Sequence, residues 1–536
     1  MKSFWCCTKV EQRSCRGCSS QVANPFGSGT DAVFTEETDV LVIGSGPGGG
    51  VVASTCAARG LSVVVLERGA LPPVEGSPAA RREHGEGPSL IERKPCDDRT
   101  VWCNDVPRQM YVGGRAGGSS GIYGAALLRP QPVDFEPGAA YGARLPSELR
   151  RWPIRYDEFE PWLQRAERLC GVAGALQRDF QPCRAADGGG LPSELPLAPI
   201  NQRVLGRLQR AGHHVWRLPL AIDADRCLRC DQCAGVPCPT GARWSALRVL
   251  TTAGQSCRSL ILKPRTEAVR LQHAAGRIDG LEACNRDDGR HYRIRARRYV
   301  LAAGAIGTAA LLLASGIEHA QLGRNFMYHC SPVVVGLFLS STGGRRTFIK
   351  QLGVSDYYNG TPDLPQKMGI VQSLPAPGPV LLAKNGLRAL PVPLRQWLRD
   401  HMLPMVGIVE DLPSPENRVQ LSGDGQIHLH HRFSAFDLQR AGALTRGISR
   451  LLKTAGARLT VAGKMPPAEH VGHQCGTARF GHNRQHAVLD PQCRTWSHPE
   501  LYVADASFMP TSLGVGPALT VIANALRVGE ILCNEL

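Results

Sequence analysis

The chain has 536 residues, too many for one ordinary hydrophobic core, so two or more domains or an interleaved pair are expected. Hydrophobic residues make up 43% and charged residues 20%, which excludes wholesale disorder. The net charge of +16 suits an anionic substrate, an acidic partner or a phosphate-bearing cofactor; with 6% aromatics and no finger or basic-helix motif, it does not point to nucleic acid.

Residues 1–35 read as a tail carrying Cys6, Cys7, Cys15 and Cys18 at irregular spacing. No apolar core precedes the charges of its opening, so no signal peptide is expected. Nineteen cysteines without a secretory signal then place the chain in a reducing, cytoplasmic compartment. Residues 38–43 (TDVLVI) read as a buried parallel strand, 51–59 as a helix of small residues and 62–66 (SVVVL) as a second strand, one βαβ unit. Residues 71–110 are rich in Pro, Arg and Glu and read as loop. A helix is expected within 150–175 after Trp152-Pro153, and a Gly/Pro-rich linker over 184–200. The longest uncharged stretch, 299–317, approaches the length of a membrane span, but Gly304, Gly307 and Thr308 divide it into strand, turn and helix start, so no membrane span is predicted. Residues 331–465 mix short strands with Pro-rich turns, and 501–532 return to strand, loop and helix.

The turn Gly44-Ser45-Gly46-Pro47-Gly48-Gly49 fits G-x-G-x-x-G between a strand and a helix. Gly44 permits the tight turn, Gly46 lets a pyrophosphate approach the backbone, and Gly49 lets helix and strand pack closely. Glu67 follows at the end of the second strand, placed to bond a ribose hydroxyl. The pattern predicts dinucleotide binding without separating FAD from NAD.

Three further segments bear on that choice: GGRAGGSSGIYGAALLRP (113–130), HQCGTARFG (473–481) and LYVADASFMPTSLGVGPALTVIANALRVGEIL (501–532). With the N-terminal turn, they resemble the glucose–methanol–choline family of FAD-dependent oxidoreductases. Supporting pieces in the same order are RWPIRYDEFEPWLQRAE (151–167), VLAAGAIGTAALLLASG (300–316), LGRNFMYH (322–329) and EDLPSPENRVQL (410–421). Within the family the sequence looks nearest to bacterial members acting on sugars, polyols or aminocyclitol glycosides.

The resemblance implies an α/β fold in which a discontinuous, Rossmann-like FAD-binding domain is interleaved with a β-rich substrate domain. The FAD domain would occupy 36–330, with a Cys-rich insertion at 225–246, and resume over 466–536 with the catalytic His; 331–465 would form the substrate domain. Gly44, Gly46, Gly49 and Glu67 would hold the ADP half of FAD. Gly117, Gly118, Ser119 and Ser120 would pass the pyrophosphate and flavin ring, Val269 would lie near the adenine, and Asp505, Ala506, Pro517 and Thr520 would surround the ribityl chain and pyrimidine end. Some relatives attach flavin through a His in the 117–124 loop; Ile122 stands at that position here, so FAD is expected to be non-covalent.

The family reaction oxidises an alcohol, passing hydride to flavin N5. His473, in HxxGT, matches the family base, and an imidazole suits the role because it is neutral near pH 7 and still accepts a proton. One departure stands out. The family places Asn or His before Pro in the SLGVGP segment, and here the residue is Gly516, which cannot bond the substrate oxygen. Tyr123 and Glu410 are candidates to compensate, Glu410 having a salt-bridged or solvated carboxylate as its alternative. Gly516 also motivates a different reading, a flavin-binding electron-transfer or scaffold protein without alcohol oxidation. The partners expected are a small-molecule alcohol and an electron acceptor that the sequence does not specify.

The run Cys227-x2-Cys230-x2-Cys233-x4-Cys238-Pro239 differs by one residue from the ferredoxin spacing C-x2-C-x2-C-x3-C-P. An Fe–S cluster, a structural zinc and buried free thiols or disulfides remain open for it.

Overall fold

The computed structural model describes residues 34–85, 94–173, 194–343, 347–362, 364–470 and 472–536. The four tail cysteines and residues 184–193 of the expected linker lie outside the described residues.

Strand Phe34–Ile43 lies at the centre of a seven-stranded sheet. It pairs in parallel with Val63–Leu66 on one side and His291–Leu301 on the other, so that Val42 sits between Val65 and Val300. Leu260–Lys263 extends the sheet beyond Val63–Leu66. Arg277–Asn285 and Thr266–Ala274 continue it antiparallel beyond His291–Leu301. The late strand Leu501–Val503 returns to run parallel to the end of His291–Leu301. Val40, Leu41, Val42, Val63, Val65, Val300 and Val503 are all completely buried. That explains why these strands read as unbroken apolar runs: both faces of the parallel core are covered. Helices Pro47–Ala58 and Ala518–Glu535 pack on each other, with Gly529 leaving room for Thr55. Residues 299–317 form strand, turn and helix Gly304–Ala314, as their glycines predict.

A six-stranded sheet runs Leu459–Ala462, Val333–Leu337, Met402–Gly407, Val371–Ser373, Leu352–Val354, Val215–Arg217, every pairing antiparallel. Its last strand comes from ahead of residue 330. The 20-residue helix Ala435–Thr454 packs on this sheet through Leu444, Ile448, Leu451 and Leu452. Reading the region as short strands and turns does not anticipate this helix, although Ser434 and Asp437 form a reciprocal capping box at its start.

A smaller sheet corrects the loop reading of 71–110. Thr100–Cys103 and Val106–Gln109 form a hairpin whose turn residues Asn104 and Asp105 have φ of 46° and 64°, and the hairpin is completed by Ile427–His430 and Arg418–Leu421. Such short strands are stable only through partners distant in the chain, so no local pattern announces them. Among the described residues, no helix is long and apolar enough to cross a membrane.

Candidate active site

A cavity of about 1210 Å³ opens beyond the carboxyl ends of the parallel strands, bordered by Ile43, Leu66, Ala302 and Asp505. In open α/β sheets this is where ligands bind. One end is built by the Gly-rich turn. Gly44 has φ +99°, and a Cβ there would lie 2.4 Å from the carbonyl oxygen of Ala302. A Cβ on Gly49 would lie 2.9 Å from Val42 Cγ1, so the helix rests directly on the strand. No side chain caps Pro47–Ala58 and no acidic residue occupies its first turn, leaving its first amides and positive dipole end free for an anion.

Ser45, the unspecified second position of the motif, organises this end. Its Oγ donates to Glu67 Oε2 (2.5 Å) and accepts from Gly117 N (2.9 Å), and its own N–H also reaches Glu67 Oε2 (3.1 Å). Gly69 N donates to Glu67 Oε1 (2.7 Å). The Glu67 carboxylate is thus held at the strand end with lone pairs left for further donors. Gly118 lies against the turn, where a Cβ would come within 2.9 Å of Gly46 Cα. Ser119 Oγ accepts from Gly113 N (3.0 Å); Ser120 Oγ donates to Gly117 O (2.5 Å) and accepts from Ala246 N (2.9 Å). Val269 falls at a register shift between Ala268 and Arg270, and the bulge turns it to the cavity wall.

Of the residues expected to hold a dinucleotide, Gly44, Gly46, Glu67, Gly118, Ser119, Ser120, Val269, Asp505, Ala506 and Pro517 line the cavity. Gly49 and Gly117 are not in its lining; they shape the turns behind it. Thr520 does not line it either: it is fully buried and its Oγ1 has no hydrogen-bond partner. Asp505 is at the wall, but its carboxylate accepts from Gly304 N, Thr308 Oγ1, Ser507 N and Ser507 Oγ, which tie the helix Gly304–Ala314 to the segment after Leu501–Val503. Burial pushes its pKa up.

At the other end His473, Gly516, Tyr123 and Lys350 share the cavity wall. His473 Nδ1 lies 3.0 Å from His329 Nδ1. His329 Nε2 lies 2.8 Å from Ser512 O and 3.0 Å from Leu513 O, and carbonyls only accept, so this nitrogen carries the proton. His329 Nδ1 is then an acceptor in the neutral ring, and His473 Nδ1 must donate to it. His473 Nε2 is left with a bare lone pair. It faces Gly516, where a Cβ would lie 3.4 Å away, so the absent side chain leaves room beside the basic nitrogen. Burial, then His329 and then Lys350, push the His473 pKa down to about 3. Burial lowers His329 as well.

The dyad is held by strained backbone. His329 and Leu513 have φ of 68° and 69°, costly for residues with side chains. Asp411 accepts from the N–H groups of Tyr328 and His329 (both 3.1 Å) and from Ser512 Oγ (2.7 Å). Glu410 Oε1 accepts from Leu513 N (3.1 Å). Its other oxygen is bonded by Tyr141 Oη (2.7 Å) and Lys367 Nζ, away from the cavity lining. Its paired, structural alternative is therefore what the geometry shows. Tyr123 reaches the cavity, its buried hydroxyl lacks a partner, and Arg243 stacks over its ring at 5.6 Å.

Cys227, Cys230, Cys233 and Cys238 line a second, small pocket together, and all four are free thiols. No three of their sulfurs lie within 4.8 Å of one another. A tetrahedral zinc with Zn–S near 2.3 Å would hold four sulfurs about 3.8 Å apart. The Cys loop is stitched to the cavity: Gly235 N donates to Ile122 O (2.7 Å), Arg243 Nη1 to Tyr123 O (2.8 Å), and Ala234 lines the cavity itself.

Sequence reasoning missed Ser45, His329 and Lys350. Ser45 lies inside the recognised motif and His329 ends LGRNFMYH; nothing local marks Lys350.

Comparison with known proteins adds kinship. Family profiles described as GMC oxidoreductase match residues 39–331 and 413–525. The chain is 29% identical to the 6'''-hydroxyparomomycin C oxidase of Streptomyces lividus and 28% identical to the paromamine 6'-oxidase of Streptomyces fradiae, in each case over 93% of this chain and 92% of the relative. It is 26% identical to the 2-methyl-1,2-propanediol dehydrogenase of Mycolicibacterium austroafricanum over 93% and 96%. Among solved structures, pyridoxine 4-oxidase from Mesorbium loti superposes with a TM-score of 0.67 at 19% identity, covering 92% of this chain and 99% of that one.

Proposed function

The chain belongs to the GMC oxidoreductase family, and from that premise we propose that it oxidises an alcohol on a sugar-like or secondary-metabolite molecule to a carbonyl, with His473 as the proton acceptor. The observation that carries this reading is the bare Nε2 of His473, turned to the cavity by the His329 hydrogen bond. Relatives named for oxidation of paromamine, a hydroxyparomomycin and a diol support an alcohol on a polar, hydroxyl-bearing molecule.

The cavity's residues fit FAD. The uncapped helix end and the approach of Gly46 to Gly118 accommodate a diphosphate, Glu67 keeps acceptor capacity for ribose hydroxyls, and the aliphatic Ile122 supports non-covalent binding. FAD, when bound, supplies the hydride acceptor. The chain's own part is to hold the alcohol with its O–H directed at His473 Nε2, to take that proton, and to exclude water around it. His329 keeps Nδ1 of the base protonated, so the lone pair stays on the cavity side.

The four cysteines that line one small pocket are the residues that would hold an Fe–S cluster in this reading. A cluster would supply one-electron transfer beside the cavity and favour dehydrogenase over oxidase behaviour. A cytoplasmic location belongs to the same reading.

Mixing the FAD-loaded protein with a panel of alcohols without oxygen tests the function. Bleaching of the flavin band that disappears in His473→Ala is expected. No bleaching by any alcohol would favour a flavoprotein without alcohol chemistry. Peroxide production against dye reduction separates oxidase from dehydrogenase, and iron and sulfide analysis of protein prepared without oxygen tests the cluster.

A further inference from the structure

Lys350 is 6% exposed, yet its side chain reaches the cavity that holds His473. Its Nζ donates to Gly124 O (2.6 Å), and no ion pair to it is found among the described residues; burial lowers its pKa to about 8, with Cys233 and Asp231 acting in the opposite direction. A buried ammonium has three donors and needs electron-rich partners; one carbonyl leaves two donors unspent. The fold presents this group deliberately. Ile349 N is anchored on Asp231 (2.9 Å) and Gln351 N on Ser373 Oγ (3.0 Å), which pins the backbone on both sides of Lys350. Gly124 leaves room for the ammonium, since a Cβ there would sit 2.2 Å from Nζ.

The other charges of the cavity wall are engaged. Arg68 pairs with Asp97 and Glu267, and Arg99 pairs with Asp97. Glu67 is bonded by Ser45 and Gly69, and Asp505 by four donors. The described wall therefore offers one cation without an ion pair, and the acceptor capacity left on Glu67 belongs to the Gly-rich end rather than to the His473 end. At Gly516 there is space beside His473 Nε2 and no polar side chain.

We propose that Lys350 binds the substrate oxygen beside His473, supplying the contact that Gly516 cannot make, and thereby selects neutral or anionic alcohols over aminated ones, which sets this chain apart from the relatives named for amine-bearing paromamine and hydroxyparomomycin. This rests on the alcohol-oxidation reading and adds the substrate's charge class to it. In the reaction the O–H proton would pass to His473 Nε2 as the carbinol C–H bond breaks and the C=O bond forms, with FAD, when bound, supplying the acceptor for the hydride. Lys350 donates a hydrogen bond to that oxygen throughout and keeps its proton.

The test uses three two-carbon probes of matched size: glycolate, ethylene glycol and ethanolamine. Each is titrated into the FAD-loaded full chain without oxygen, and the perturbation of the flavin spectrum reads binding even when no turnover occurs. Glycolate is expected to bind at least tenfold more tightly than ethanolamine, with ethylene glycol between them. Lys350→Met and Lys350→Gln, which remove the charge at similar length, are expected to retain FAD and abolish the preference. Ethanolamine binding as well as glycolate, no saturable response to glycolate, or a preference that survives both substitutions would overturn the proposal. Loss of FAD in both variants would also overturn it, assigning the lysine to the cofactor. Bleaching by other alcohols that depends on His473 would leave the parent reading standing in each of those cases.

Discussion

The two ends of the cavity are built in opposite ways. At the Gly-rich end, Gly44, Ser45, Gly48 and Glu67 come from one βαβ unit, and the groups that would meet a diphosphate are backbone amides. At the other end His329, Lys350, His473 and Gly516 come from four segments brought together only by the completed fold, and the working groups are side chains. The first end depends on local backbone geometry and tolerates little change there. The second depends on long-range hydrogen bonds between side chains and backbone of distant segments.

Breaking the local end is expected to have the largest effect. Gly44→Val adds atoms where a Cβ alone would lie 2.4 Å from Ala302 O, on a backbone with φ +99°. The protein is expected to purify without flavin, and absorbance per unit of protein reads this directly. Breaking the long-range end should leave the flavin in place. His473→Ala is expected to lower kcat/KM by about 10³-fold with FAD retained, because the proposed base is removed and the Gly-rich turn is not touched. Stopped-flow reduction and FAD content together separate the two effects.

The dyad sharpens the contrast further. His329→Ala leaves the base free to adopt the other tautomer, and kcat is expected to fall by about 10²-fold, with KM little changed. A fall in KM-controlled binding alone would show that His329 shapes the pocket and not the base. Acid titration gives a smaller signal of definite sign. His473 is held near a pKa of about 3, against 6.5 in the unfolded chain, so protons bind the unfolded state first. Stability contributed by this group is complete above about pH 6.5 and is lost as pH falls toward about 3. His473→Asn should flatten the acid side of a plot of Tm against pH. The smallest effect is expected at Thr520, whose buried Oγ1 lacks a partner outside the cavity lining: Thr520→Val should raise stability by up to about 1 kcal/mol and leave FAD affinity unchanged. Weaker FAD binding in that variant would return Thr520 to the cofactor site.

The same division decides what could be read before the fold was known. The unit from Phe34–Ile43 to Glu67 is legible because each glycine answers a steric demand met within a few residues. The break at Gly304 is legible for the same reason. The hairpin Thr100–Cys103 with Val106–Gln109 is not, since its stability comes from Ile427–His430 far along the chain. Strand Val215–Arg217 joins its sheet through Leu352–Val354, again a distant partner. In the site, His473 could be singled out by its motif, but which of its nitrogens is left with a bare lone pair depends on carbonyls of Ser512 and Leu513 reaching His329. Lys350 carries no motif at all; its meaning comes from burial without an ion pair, which only the packed structure displays.

A crystal structure of the FAD-loaded chain, with an unreactive alcohol analogue soaked in, tests the central claim most directly. The expected result is the isoalloxazine ring lying in the cavity between Tyr123 and Gly516, with the analogue's hydroxyl within hydrogen-bond reach of His473 Nε2. A flavin seated elsewhere, or His473 turned so that its Nδ1 meets the hydroxyl, would contradict it.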